Sequence, residues 1–189
     1  MTKNKAAEVL LTTCSNCKTD EKILIVTDPT SYQVAKIMWD TAINYPHKTL
    51  VMMNETSMHG QDPTEIVATA MKNADVIFGC TKFSLFHSKA RKKAVENGAR
   101  FVNMVDYGLE MMEKGGLYCD FEEVGRICSK VASKIENKKT CKITTAKGTN
   151  YTCSIEGIKP NPQYGRSDSS SRVILPRRPA VPNPAISKR

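Results

Sequence analysis

Four side chains stand where an open α/β sheet would gather a ligand: Asp28, Thr81, Ser84 and His87. Each follows an apolar run that reads as a strand, and ligands of such sheets collect beyond the carboxyl ends of strands. Asp28 offers a carboxylate to such a crevice, although an Asp-Pro pair after a strand more commonly just shapes the turn. Ser84 and His87 are close in sequence, but a nucleophilic triad also needs an orienting acid and an oxyanion hole, and neither is evident. Capping of the following helix is the preferred reading of Ser84. Glycine-rich phosphate loops are absent. Thr27-Asp28-Pro29-Thr30-Ser31 stands where a G-x-G-x-x-G would follow the first strand, and no G-x-x-x-x-G-K-[ST] occurs.

Metal chemistry finds no ligand set. His47, His59 and His87 are widely separated and form no H-x-x-x-H, H-E-x-x-H or H-x-D. His59 lies in a polar loop, residues 54–60, and is expected to face water. Cys14-x-x-Cys17 has no second pair and no nearby His to complete four zinc ligands. It also precedes the first strand, whereas a thioredoxin-like motif follows one. The two cysteines read as ordinary thiols near a flexible end. No catalytic, cofactor-binding or metal-binding residue is therefore assigned.

The elements that must position these groups follow from the hydrophobic pattern. Lys22-Ile-Leu-Ile-Val-Thr27 reads as a strand buried on both faces. Thr30, with Gln33 three residues on, suits a capping box for a helix with Val34, Ile37, Met38, Thr41 and Ala42 on one side. Residues 48–53 are the second strand, and Asp62-Pro63-Thr64-Glu65 signals a helix start with the Asp as cap. Strands over 75–79 and 100–104 enclose a helix over 87–97, stopped by Gly98. Asp120, with Glu123 three residues on, begins the longest helix, with an inner face of Val124, Ile127, Cys128, Val131, Ala132 and Ile135. Residues 141–155 then form two β-rich arms around Lys147-Gly148, a hairpin signal. Alternating strands and helices of these lengths demand parallel pairing with right-handed crossovers. The expected fold is a three-layer α/β sandwich, Rossmann-like or flavodoxin-like, with a mostly parallel sheet and a β-hairpin near the end. An N-terminal segment (1–20) precedes the α/β domain (21–158). Residues 159–189, rich in Pro, Ser and Arg, are too poor in apolar residues to fold and are expected to be disordered.

Composition restricts the function classes. The 189 residues are 40% hydrophobic and 25% charged, ordinary for a globular protein. No stretch approaches the roughly 20 apolar residues of a membrane helix, and the opening apolar run is too short for a signal peptide. A cytoplasmic location, with seven reduced cysteines, is the expectation. The formal charge is +9, but the tail from Ser167 holds five Lys/Arg and one Asp, leaving 23 basic against 18 acidic residues elsewhere. That excess is dispersed. The run Lys89-Ala-Arg91-Lys92-Lys93 reads as a solvated helix face, and with aromatics at 6% nucleic-acid binding is not expected.

The order of several segments resembles the aminopeptidase T family of metal-dependent leucyl aminopeptidases. Glu21-Lys-Ile-Leu-Ile-Val-Thr-Asp28 is similar to its opening strand. Met71-Lys-Asn-Ala-Asp75, Thr81-Lys-Phe-Ser-Leu-Phe-His87-Ser-Lys-Ala-Arg91, Gly98-Ala-Arg100-Phe and Gly148-Thr-Asn-Tyr-Thr-Cys-Ser-Ile-Glu-Gly157 continue the likeness in order over roughly residues 6–158. The related 2,5-dihydroxypyridine dioxygenases, which use iron, share this architecture. The resemblance implies an amino-terminal, non-catalytic domain, the divalent metal being held by Glu, His and Asp of a carboxyl-terminal half. No residue here matches those ligands. It also implies that the partner is a second copy or the missing catalytic domain, and that the chain is inactive alone, with the question of an enzymatic role left open. The alternative is a stand-alone module binding a small anionic ligand or a protein.

Overall fold

A computed structural model describes residues 3–166 and 173–174. The chain divides into two compact units, Met1–Cys119 with Gly165–Arg189, and Asp120–Tyr164.

The larger unit is built on a parallel sheet of β1 (Ile23–Thr27), β2 (Lys48–Met52), β3 (Val76–Cys80), β4 (Arg100–Asn103) and the two-residue β7 (Val173–Ile174), in the order β2-β1-β3-β4-β7. That is the flavodoxin-like order. β1 and β3 are buried at every position because helices cover both faces of the sheet, which is why they read as unbroken apolar runs. On one side α3 (Glu65–Lys72) and α4 (Lys89–Glu96) enclose Leu24, Val26, Met71, Ile77, Leu85 and Phe101. On the other, α1 (Lys3–Val9) packs with α2 (Tyr32–Thr41) and α5 (Leu109–Glu113). The expected three-layer α/β sandwich is what the chain forms. Of the segment expected to be disordered, Val173–Ile174 pairs with Val102–Asn103, while 167–172 and 175–189 lie outside the described residues.

Gly79 shows how tightly the layers fit. A Cβ there would meet the Phe101 ring at 2.7 Å, so the Phe101 side chain occupies the space that the adjacent strand leaves. Any larger residue would displace a buried aromatic ring.

Three local expectations are corrected. Thr30 does not cap α2; its hydroxyl donates to Glu55 Oε1 (2.9 Å), and the N–H of Ser31 is taken by Asp28 Oδ1 instead. Asp62 does not cap α3 either: its Oδ1 accepts the Ala90 N–H (2.8 Å), tying the α3 approach to α4. The cap of α4 is Ser88, whose side chain accepts from Arg91 N–H, and not Ser84.

The amino-terminal segment is helical and buried, not a flexible end. Ala6, Ala7, Leu10 and Cys14 are fully buried, and a wide π turn over Leu10–Cys14 closes the first helix. Arg100 locks this turn to the sheet. Its Nε donates to Ser15 O (2.9 Å), and Nη1 and Nη2 grip Glu21 Oε1 and Oε2 at 3.0 and 2.6 Å. Burial pushes the Glu21 carboxyl up, but hydrogen bonds from Arg100 and the Lys18 N–H, with the Arg100 charge, outweigh it, and its pKa is lowered overall. Burial pushes the Cys17 thiol up to about 11 and the Cys14 thiol up to about 12, which makes both inert at neutral pH.

The smaller unit holds α6 (Phe121–Ile135) and an antiparallel hairpin of β5 (Thr140–Thr144) and β6 (Asn150–Ser154). Asp120 caps α6 as expected, its Oδ1 accepting the N–H groups of Glu122 and Glu123 (2.9 and 3.0 Å). Gly148, at φ 96, makes the turn at the expected place. The stripe expected to be the inner face of α6 is only partly covered: Val124, Cys128, Ala132 and Ile135 are half-buried, while Ile127 and Val131 are 53% and 55% exposed.

A depressed carboxyl contributes stability that is present above its unfolded pKa and lost as pH falls through the lower folded value. Urea unfolding of wild type and E21Q should therefore show a stability gap that narrows as pH drops below the ordinary glutamate value of about 4.3. A gap independent of pH across that range would show that the Arg100–Glu21 pair does not carry it.

Candidate functional site

The strand order turns back on itself between β1 and β3, since the chain passes from β1 outward to β2 and then to the other side. Beyond the carboxyl ends of those two strands lies the position at which doubly wound sheets receive ligands. Asp28 directly follows β1, and Thr81 and Lys82 follow β3.

Asp28 is 1% exposed, and both of its oxygens are occupied. Oδ1 accepts the Ser31 N–H at 2.9 Å and Oδ2 accepts the Lys82 N–H at 2.6 Å. A buried carboxylate is tolerable only with such partners, and charge-assisted bonds of this kind are among the stronger ones. The Asp28-Pro29 turn is thus shaped by its Asp, as the sequence suggests, and the same carboxylate also clamps the loop after β3. The Thr81 hydroxyl is equally engaged, donating to Phe83 O at 2.7 Å. Lys82 Nζ pairs with Asp106 Oδ1 at 2.8 Å, and Asp106 N–H donates to Thr81 O at 2.9 Å. Asp106 adopts φ 52, a left-handed conformation that costs a non-glycine residue and is held here by both of those bonds.

Ser84 belongs to a second cluster. Its hydroxyl donates to Asn103 Oδ1 and accepts the Phe86 N–H, both at 3.0 Å. Its own N–H donates to His59 Nδ1 at 3.0 Å, and its carbonyl accepts the Gly60 N–H at 2.7 Å. A base that activated Ser84 would have to face the hydroxyl; His59 Nδ1 faces the backbone. The loop carrying His59 approaches closely at Gly60, whose φ of 84 and 3.2 Å distance from a built Cβ to His87 Cβ leave little room for a side chain. His87 is exposed, with its ring edge-on to Phe86 at 5.1 Å, and has no hydrogen bond to Asp28, Thr81 or Ser84 among the described residues.

Of the four residues expected to line a crevice, the structure therefore brings Asp28 and Thr81 together through Lys82, places Ser84 with His59 and Asn103, and leaves His87 apart. Lys82, Asn103 and Asp106 escape a reading of the sequence. The signal for Asn103 was its polar side chain at the end of a strand whose middle residues, Phe101 and Val102, are buried. Lys82 and Asp106 become visible only once β3 and β4 are paired. Beside this region, a groove of about 440 Å³ is lined by Pro29, Val51, Met53, Asn54, Thr64 and Val67, and offers no charged group.

A family model for 2,5-dihydroxypyridine 5,6-dioxygenase matches residues 6–175. The chain belongs to that family. No curated protein and no solved structure matches it. The family name implies oxygen chemistry at a metal, and a non-haem iron of this kind is typically held by two His and a carboxylate. The described residues do not fit that group. No three His, Cys, Asp or Glu side chains among them converge on a point. The carboxylate best placed for the task, Asp28, is buried with each oxygen already accepting an N–H, and His59 Nδ1 accepts the Ser84 N–H. Among the described residues no helix is long and apolar enough to cross a membrane.

If Asp28 is a structural clamp, D28A removes the side-chain acceptor of the Lys82 N–H and leaves the Ser31 N–H only its 3.2 Å bond to Asp28 O. It should lower unfolding free energy by about 1–3 kcal/mol. Stability within about 0.5 kcal/mol of wild type, the range of an ordinary surface substitution, would contradict the clamp and reopen a ligand-binding role.

Proposed function

We propose that this chain is a non-catalytic α/β domain of a metal-dependent enzyme, dioxygenase-related in family and aminopeptidase T-like in the order of its segments. The reacting centre is furnished by residues other than those described here. One observation carries the reading: at the β1/β3 crevice, the side chains that could have reacted are consumed in holding loops together. Asp28 clamps two turns, Thr81 and Ser84 bind neighbouring backbone, and Lys82 is paired with Asp106. The domain's work is then architectural, to present its surface to the catalytic polypeptide. The open stripe of α6 at Ile127 and Val131 supports that role, since exposed apolar residues at helical spacing suit a partner surface.

The test is an activity measurement on the pure chain with ferrous, zinc, cobalt or manganese ions in turn. Both ring opening of 2,5-dihydroxypyridine and hydrolysis of leucine p-nitroanilide should stay at the background of metal alone. Turnover by the chain that requires metal, and that survives repurification, would overturn the proposal.

A further inference from the structure

Cys141 and Cys153 lie directly opposite one another in the β5–β6 ladder. Directly opposed residues of an antiparallel pair project from the same face. Both thiols are free and half-buried. The pairing type follows from the ladder itself. Ile155 N–H donates to Lys139 O and Thr145 N–H donates to Thr149 O, so 139/155 and 145/149 are hydrogen-bonded pairs. Such pairs alternate with non-bonded ones along the strands, and two residues inward from 139/155 stands 141/153, again hydrogen-bonded.

From this geometry we propose that Cys141 and Cys153 form a reversible cross-strand disulfide, a thiol-oxidation site that takes a low-molecular-weight disulfide such as oxidised glutathione as its oxidant. This is independent of the functional reading above. Hydrogen-bonded pairs hold their Cα atoms about 5.5 Å apart, inside the usual range of about 4.4–6.8 Å for a disulfide. Their Cβ atoms lie toward the wide end of about 4.5–5.5 Å, beyond the mean of about 3.8 Å in a disulfide. The bond therefore closes only with local strain, and strained, accessible disulfides are the readily reduced ones. The pair acts as a switch and not as a permanent staple.

The chemistry balances. The Cys141 thiolate attacks one sulfur of the small disulfide, a mixed disulfide forms, and one small thiol leaves. The Cys153 thiolate then attacks Cys141 Sγ, the Cys141–Cys153 bond forms, and the second small thiol leaves. The protein pair gives up two electrons and two protons, and the small disulfide takes them. Of the remaining cysteines Cys119 is exposed and open to a mixed disulfide, but the thiol nearby, Cys14, is buried. Cys14 and Cys80 are fully buried, and burial raises the thiol of Cys17 to about 11. Cys128, in the same unit, sits on α6 with Sγ 3.8 Å from Gln163 O.

The experiment is oxidation of the folded full chain with oxidised glutathione, followed by alkylation, trypsin digestion and mass mapping. The tryptic peptides 140–142 and 148–166, the latter running on because trypsin does not cut Lys159-Pro160, should appear joined, lighter by two hydrogens, and should separate when the folded protein is treated with dithiothreitol. The joined peptide should form at least about tenfold faster than any other cysteine pair, because rates follow access and thiolate character. C153S should leave Cys141 as a persistent mixed disulfide, and C128S should change nothing. Two separate mixed disulfides at Cys141 and Cys153 in wild type, unreacted thiols at both, or pairing of either with Cys128 would each overturn the proposal. The wild-type map decides even if a variant fails to fold.

Discussion

A single buried carboxylate holds the ligand-facing edge of this fold in place. Asp28 stands where β1 ends, within hydrogen-bond reach of the turn that opens α2 and of the loop that leaves β3. A charge taken out of water must be repaid by donors, and here the backbone supplies both. The consequences spread outward. The Ser31 N–H is satisfied without a side-chain cap, so Thr30 is released to bond Glu55. Lys82 is set with its amide inward and its ammonium toward Asp106, which stabilises the strained backbone after β4. The crevice that a doubly wound sheet would leave for a ligand is instead laced by its own loops.

Much of the fold was legible because it depends on patterns that tertiary structure seldom overrides. β1 and β3 announced themselves as apolar runs too short for helices, and their complete burial follows from helices on both faces. Asp120 and Glu123 marked the start of α6 through a local capping rule, and Lys147-Gly148 marked the hairpin through a conformational need for positive φ. The amino-terminal helix was missed although Ala7, Leu10, Leu11 and Cys14 stand at i, i+3, i+4 and i+7, the spacing of one helix face. The stretch is short and lies ahead of the first strand, and the structure shows that face buried, with the helix packed on α2 and α5. The caps at Thr30, Asp62 and Ser84 failed for a common reason. Each residue had the right chemistry for a local bond, but a more distant backbone or side-chain group competed for it.

The candidate site was half legible. Asp28 and Thr81 were found because strand ends are where α/β folds put polar groups, a rule of topology that sequence reveals once the strands are placed. His59 and Asn103 were not, because their roles depend on two loops meeting across the sheet, residues 59–60 reaching 84 and 84 reaching 103. Membership of the 2,5-dihydroxypyridine 5,6-dioxygenase family rests on the match over residues 6–175. The scaffolding role proposed above asks for a surface held in one arrangement, and the bonded loops at the β1/β3 edge support that reading.

The decisive measurement is native-state amide hydrogen exchange, read residue by residue by NMR. If the Asp28 carboxylate is the clamp described, the Ser31 and Lys82 amides, though both lie in loops, should exchange as slowly as those in the middle of β1 and β3, opening only with the whole sheet. Exchange of these two amides at rates typical of mobile loops, with β1 and β3 still protected, would mean the carboxylate is not engaged and that the crevice is free to bind something else.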